Sequence, residues 1–224
     1  IVPNAFGWGQ KGHDVVAYVA EQNLSRRVLR KVTKALEGHS VVYYANWMDN
    51  ASHKDEYAYT KTWHYVNVDP SEGSYSASVK DPKGDVVTAI TGIVDRLKSG
   101  ELTAEQERVE LMMLIHLVGD MHCPMHAGRL SDRGGNQMKV KWFGKPPNLP
   151  SVWDSKLIES ARKWNYSEWV DQLDRTDKKF RNAVMSGSYE QWFDATVENA
   201  AGIYEYVEDM KQEMPKTIHA ETQA

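Results

Sequence analysis

The chain has 224 residues, enough for one substantial core, and its 41% hydrophobic and 26% charged content is ordinary for a soluble globular protein. No apolar run reaches the roughly eighteen residues of a membrane span, and a single cysteine, Cys123, excludes an internal disulfide framework. The net charge of −4 argues against a nucleic-acid clamp built from basic side chains, unless bound cations supply positive potential locally.

The first seven residues, IVPNAFG, read differently from the rest. Ala5 and Gly7 stand at −3 and −1 relative to Trp8, the pattern of a signal-peptidase site, so residues 1–7 are expected to be the remnant of a secretory signal. That expectation places the protein in a secreted or periplasmic setting. From Gln10 to Gln22, Val15, Val16, Val19 and Ala20 recur at helical spacing. Ser25 is positioned to cap a second helix carrying Val28, Leu29, Val32 and Leu36, which Gly38 ends. A short aromatic stretch, VVYYANWMDN, then holds Asp49. TWHYVNVDP, Thr62 to Pro70, reads as extended and contains His64. Residues 70–84 are loop, Asp85 to Lys98 is a helix closed by Gly100, and Thr103 with Gln106 forms a capping box that opens the next helix.

That helix runs into the stretch Leu111 to His126, LMMLIHLVGDMHCPMH. Its first half is apolar enough to demand burial, yet His116, Asp120, His122 and His126 follow within eleven residues. Burying that many titratable groups costs several kcal/mol for each uncompensated charge. His116 and Asp120, at i and i+4, project from one helix face, and Pro124 stops the helix and turns His126 in after them. Buried, converging imidazole and carboxylate are what zinc binds. Further on, GGN at Gly134 to Asn136 is turn chemistry, QMKVKWF alternates like a strand, and KPPNLP cannot be helical. Helix resumes at Asp154, with breaks near Asn165 and Gly187, and ends in a long run from Tyr189 to Glu213. The expected fold is mainly α, one domain, with one small β-hairpin.

In order along the chain, WGxxGH (Trp8 to His13), WxD (ending at Asp49), WHYVN (Trp63 to Asn67), HxxxDxHxPxH (His116 to His126), GGN and NLxxxWD (ending at Asp154) resemble the zinc-dependent S-one/P-one nuclease family. These are single-strand-specific nucleases that also act as 3′-nucleotidases, and their fold is related to zinc phospholipase C. The resemblance implies up to three zinc ions in a domain spanning residues 8–224. Asp49, His64, His116 and Asp120 would hold one. Asp120 would bridge to a second, completed by His13 and by the amine and carbonyl of Trp8. His126 and Asp154 would contribute to the third. Asp49 and Asp120 would be the catalytic carboxylates, and Tyr65, Asn67 and Asn136 would meet the substrate. Single-stranded DNA or RNA and 3′-nucleotides are the implied substrates, for a monomer without protein partners. His122 reads as an outer residue that orients a ligand through its ring N–H.

Four departures from the family pattern carry expectations of their own. The family has histidine where this chain has Pro150, which predicts a third zinc site that is weak, water-completed or empty. Fungal members carry arginine where this chain has Ser52; Lys61 and Arg129 are the candidates to neutralise a phosphate in its place. With residues 1–7 attached, Trp8 has no free amine, and the terminal helix of the family is not recognisable in MPKTIHAETQA. Two other functions compete. A zinc phospholipase C would need an exposed apolar or basic amphipathic surface, and none stands out in the sequence. A catalytically impaired member would bind nucleotides or single strands without turnover.

Overall fold

The computed structural model describes residues 8–144 and 146–213, with side chains to residue 208. Residues 1–7 and MPKTIHAETQA, with His219, lie outside the described residues, and so do the expectations that rest on them.

The architecture is helical, as expected. Helix α1 spans Gln10–Asn23, α2 Arg26–Ala35, α3 Trp47–Ala51, α4 Val86–Ser99, α5 Ala104–Met121 and α6 Leu149–Ser151. Then follow α7 (Leu157–Ala161), α8 (Tyr166–Leu173), α9 (Lys178–Val184) and α10 (Tyr189–Glu213). The caps sit where the side chains demand them. Ser25 accepts from the Val28 N–H, Asp85 from the Val87 and Thr88 N–H groups, and Thr103 from Gln106, with full capping boxes at Asp85 and Thr103. Gly100 takes the left-handed conformation that ends α4, with φ of 70°.

Helix α5 is the axis of the molecule. One side presents Met113, Leu117 and Met121 to Val86, Val87, Ile90 and Ile93 of α4 and to Phe193, Val197, Ala200 and Tyr204 of α10, all in one buried cluster. Each such side chain contributes roughly 1.5–3 kcal/mol by leaving water. Another side carries Ile115 into a smaller cluster with Ala17 of α1, Val41 and Ala45. Apolar packing on both flanks is what allows the polar groups near the C-terminal end of α5 to be held rigidly without solvent.

Where the chain departs from helix, it does so to serve that end of α5. The extended run after His64 pairs with the turn beyond α5: Val66 N–H donates to His126 O (2.9 Å) and Val68 N–H to Gly128 O (3.1 Å). The hairpin expected around QMKVKWF is reduced to one antiparallel bridge, Lys139 to Asn148. Val140 N–H donates to Pro147 O and Leu149 N–H to Met138 O on either side of it, and among the described residues the alternation pairs no further. Several elements were not foreseen, among them α3, a 3₁₀ run from Asp55 to Thr62, and a π-helical turn, Val152–Lys156, joining α6 to α7. The expectation that KPPNLP cannot be helical is corrected at its end: Leu149 and Pro150 open α6, where a proline in the first turn forfeits no hydrogen bond. Among the described residues, no helix is long and apolar enough to cross a membrane.

Candidate metal centre

Five segments bring their side chains to the buried end of α5. Asp120 is fully buried and stands among four imidazoles. His64 Nδ1 is 2.8 Å from its Oδ2 and His116 Nε2 is 3.0 Å from the same oxygen. His13 Nε2 and His126 Nδ1 lie 3.4 and 3.6 Å from Oδ1. Asp49 enters from α3, its Oδ1 3.2 Å from His116 Nε2 and 4.0 Å from His64 Nδ1. His13 and His116 stack, ring centroids 4.0 Å apart at 17°. Two groups, His13–Asp49–His116 and His64–His116–Asp120, have ligand atoms converging within 4.8 Å.

Backbone carbonyls fix the orientation of two rings. His116 Nδ1–H donates to Ala45 O at 2.8 Å, and His126 Nδ1–H donates to His64 O. A neutral His116 therefore turns the lone pair of Nε2, not a proton, towards the oxygens of Asp49 and Asp120. Lone pair against carboxylate is repulsive unless a proton or a cation lies between them. The buried Nε2 atoms of His13, His64, His116 and His126, and Asp120 Oδ1, have no hydrogen-bond partner. Such orphaned acceptors are costly in a core. Cations at the two converging groups would offer partners to several of them, and the donor set of imidazole and carboxylate suits zinc.

The protonation states follow the same logic. Burial alone would lower His116, but Asp120 and Asp49 reverse this and push it up to about 10. Burial opposes ionisation of Asp120, yet His116 and His126 hold its carboxyl well below the usual range. Without a cation, the centre is thus an ion pair with a proton where the metal would sit. His13, dominated by burial, is lowered.

Glycines allow the close approach. Gly9 N–H donates to Asp154 O at 2.6 Å, and a Cβ on Gly9 would lie 2.1 Å from Ser155 Oγ. Trp8 folds back over Gly12, where a Cβ would meet Trp8 Cβ at 2.7 Å. A Cβ on Gly119 would meet His13 Nδ1 at 2.9 Å and Cε1 at 3.3 Å. Gly119→Ala should therefore push His13 out of register and lower metal affinity roughly 10–100-fold. Alanine is also the better helix former, so helicity should hold. Metal titration beside circular dichroism checks this; unchanged affinity would show that His13 can give way freely.

A family model described as S1/P1 Nuclease matches residues 8–222. The chain belongs to the S1/P1 nuclease family. It is similar to Endonuclease 2 of Arabidopsis thaliana, 28% identical over 212 residues, covering 88% of this chain and 72% of that one. Nuclease S1 of Aspergillus oryzae is 25% identical, with 84% and 68% covered, and Nuclease P1 of Penicillium citrinum is 30% identical, with 74% and 65% covered. The chain spans between 61% and 72% of the length of the Arabidopsis endonucleases it matches.

Within this S1/P1 member, the remaining expected site residues separate. Asp154 is buried in the π-helical turn, and burial holds its carboxyl well above the ordinary range. Pro150, where the family pattern has histidine, lies buried in the first turn of α6, where no N–H is needed, and its ring faces Gly135. Tyr65 and Asn67 are half-buried beside the cluster, with Asn67 Oδ1 3.2 Å from where a Cβ of Gly134 would stand. Asn136 donates to Arg133 O and accepts from Asn148 Nδ2, both at 2.8 Å, so it braces the GGN turn. His122 is not brought into the centre. It is exposed, and its Nδ1 bonds the Val118 carbonyl one turn back, so the ring-orienting task falls to Ala45 O and His64 O instead. Ser52 is buried and donates to Asp49 O at 3.1 Å. Arg129 is committed to Glu208 at 2.5 Å and to the Tyr204 ring, which leaves Lys61, exposed, as the uncommitted candidate of the two. A groove of about 540 Å³ opens alongside, between Gln10 and Asp14 of α1 and Asn46, Trp47 and Asn50 at α3. Both walls lie within a turn of a candidate ligand, His13 on one and Asp49 on the other.

Proposed function

We propose that the chain is an exported zinc-dependent phosphodiesterase, one domain from residue 8 onward. It would cut single-stranded DNA and RNA to 5′-phosphorylated products and act as a 3′-nucleotidase. The observation that supports this reading is the buried Nε2 of His116, its Nδ1 taken up by Ala45 O and the oxygens of Asp49 and Asp120 standing at 3.2 and 3.0 Å, where a shared cation would fit. Asp49, His64, His116 and Asp120 would hold one ion, with Asp120 shared towards His13 and Trp8, and His126 and Asp154 would serve a third. Zinc held there would supply Lewis acidity, polarising a phosphodiester and activating water at neutral pH. It would also supply the local positive potential that a chain of net charge −4 lacks.

The protein's own groups then handle recognition. Tyr65 follows the ligand His64 directly, and its ring is a stacking face for a base of any identity. Burial raises its hydroxyl above the ordinary tyrosine range, so it stays neutral in that role. Asn67, two residues on, offers an amide to the base edge. The groove between α1 and α3, with Tyr43 64% exposed at its rim, is the path proposed for the flanking strand.

Stacking on Tyr65 needs an unpaired base, so a single strand should be cut at least about tenfold faster than a duplex of the same sequence. Tyr65→Ala should raise KM more than it lowers kcat. Equal rates on both substrates would remove this reading. One observation favours a second one. Phe180 and Val184 share a face of α9 and are about half exposed, with Lys178, Lys179 and Arg181 around them. This basic, apolar surface was not apparent in the sequence, and it is the kind a phospholipase would present to lipid. Hydrolysis of phosphatidylcholine vesicles in preference to oligonucleotides would select it.

A further inference from the structure

The groove between α1 and α3 has a polarity of its own. Among the described residues lining it there is no lysine, arginine or histidine, so no side chain there carries a positive charge for a phosphate. Tyr43 and Trp47 give it flat faces, and the exposed Tyr43 ring is steadied by His39, stacked on it with centroids 4.0 Å apart at 11°. Two amides have spent their hydrogens on the protein. Asn46 Nδ2 donates to Asp14 Oδ1 at 2.8 Å and to Gln10 O at 3.4 Å, and Asn50 Nδ2 donates to Asn46 O at 3.3 Å. What they leave for a ligand is acceptors. Asn46 takes one oxygen of Asp14, and the other, Oδ2, has no donor. Asn46 Oδ1 lacks one too.

We propose that this groove is a second base subsite, one that selects bases carrying an exocyclic amine, with Asp14 as the selecting residue. The inference rests on the nuclease reading above and says which bases that enzyme prefers beside the scissile bond. Adenine and cytosine present an NH₂ donor on the edge where thymine and uracil present a carbonyl oxygen. A carboxylate oxygen accepts from the amine and repels the carbonyl. At about 540 Å³ the groove has the size of an ordinary small-molecule site, so a base with its sugar fits. The plain competitor is a groove that seats every base alike, by stacking alone.

Dinucleotides separate the two, because one position can be varied while the other is held as thymidine. With the zinc-loaded full chain, adenine or cytosine at one of the two positions should raise kcat/KM about tenfold over thymine. Asp14→Ala should flatten that preference. Asp14→Asn should invert it, since Asn46 Nδ2 goes on claiming the Oδ1 acceptor and the new amide then presents NH₂ where Asp14 Oδ2 stood, a donor matched to thymine O4. The readout is the ratio between substrates, so a partial loss of metal or of folded protein cancels out. Equal kcat/KM on all dinucleotides, or a preference that both variants leave unchanged, overturns the subsite while the nuclease reading stands. No cleavage of any dinucleotide by the zinc-loaded protein overturns both.

Discussion

Asp120→Asn is expected to leave a folded protein that has lost its metal centre and about a thousandfold or more of its nuclease rate. The carboxylate is within 3.6 Å of His13, His64, His116 and His126, four candidate ligands at once. An amide of the same shape keeps the packing but removes the charge that binds a cation. Its NH₂ can satisfy one orphaned imidazole nitrogen while turning a hydrogen towards the others. The metal-free form should also lose stability, since the exchange removes the partner that holds the buried His116 imidazolium. The measurement is metal content, rate on single-stranded DNA and the melting curve on one preparation. Retention of a tenth of the rate would mean that Asp120 is not the shared ligand.

Metal uptake is expected to release protons and to strengthen steeply as pH rises. In the metal-free protein His116 holds its proton up to about 10, and Asp154 holds one well above the ordinary carboxylate range. Both must be given up for the atoms to act as ligands. At pH 7 loading should therefore release at least about one proton, and apparent affinity should rise about tenfold per pH unit for each proton exchanged. Calorimetry in buffers of different ionisation heat reads the number directly, and affinity independent of pH from 6 to 9 would contradict it. The sign reverses for the empty protein's stability. A raised histidine stabilises fully below its ordinary 6.5, and that stability is lost as pH climbs through about 10. Zinc thus helps most where the empty fold is weakening.

The parts of this molecule that were legible in the sequence are those that local chemistry dictates. Ser25, Asp85 and Thr103 cap helices because a side-chain oxygen next to free N–H groups has no better use. The apolar first half of LMMLIHLVGDMHCPMH forced α5 into the core, and the i, i+4 spacing put His116 and Asp120 on one face. The ordered ligand motifs pointed to the family. Other features left no local trace. The Ala45 and His64 carbonyls that orient two rings belong to the backbone, and any residue would carry the same oxygen. The 3₁₀ run before His64 and the π-helical turn at Asp154 have no periodicity to read. His122 misled because a histidine in a histidine-rich motif reads as part of the site, whereas the last turn of α5 offered it a nearer acceptor in Val118. Asp14 and Asn46 are 32 residues apart, and only the fold makes them neighbours.

The chain has one cysteine, so nothing covalent ties its ends of sequence together. The candidate ligands nonetheless run from His13 to Asp154, joining α1, α3, the extended segment after the 3₁₀ run, α5 and the π-helical turn. A loaded centre would be a clasp across most of the molecule, and at a free zinc level a hundred times Kd it would add about 2.7 kcal/mol to stability. That would couple lifetime to supply: where zinc is scarce or chelated, the protein would be not merely idle but more open to proteolysis.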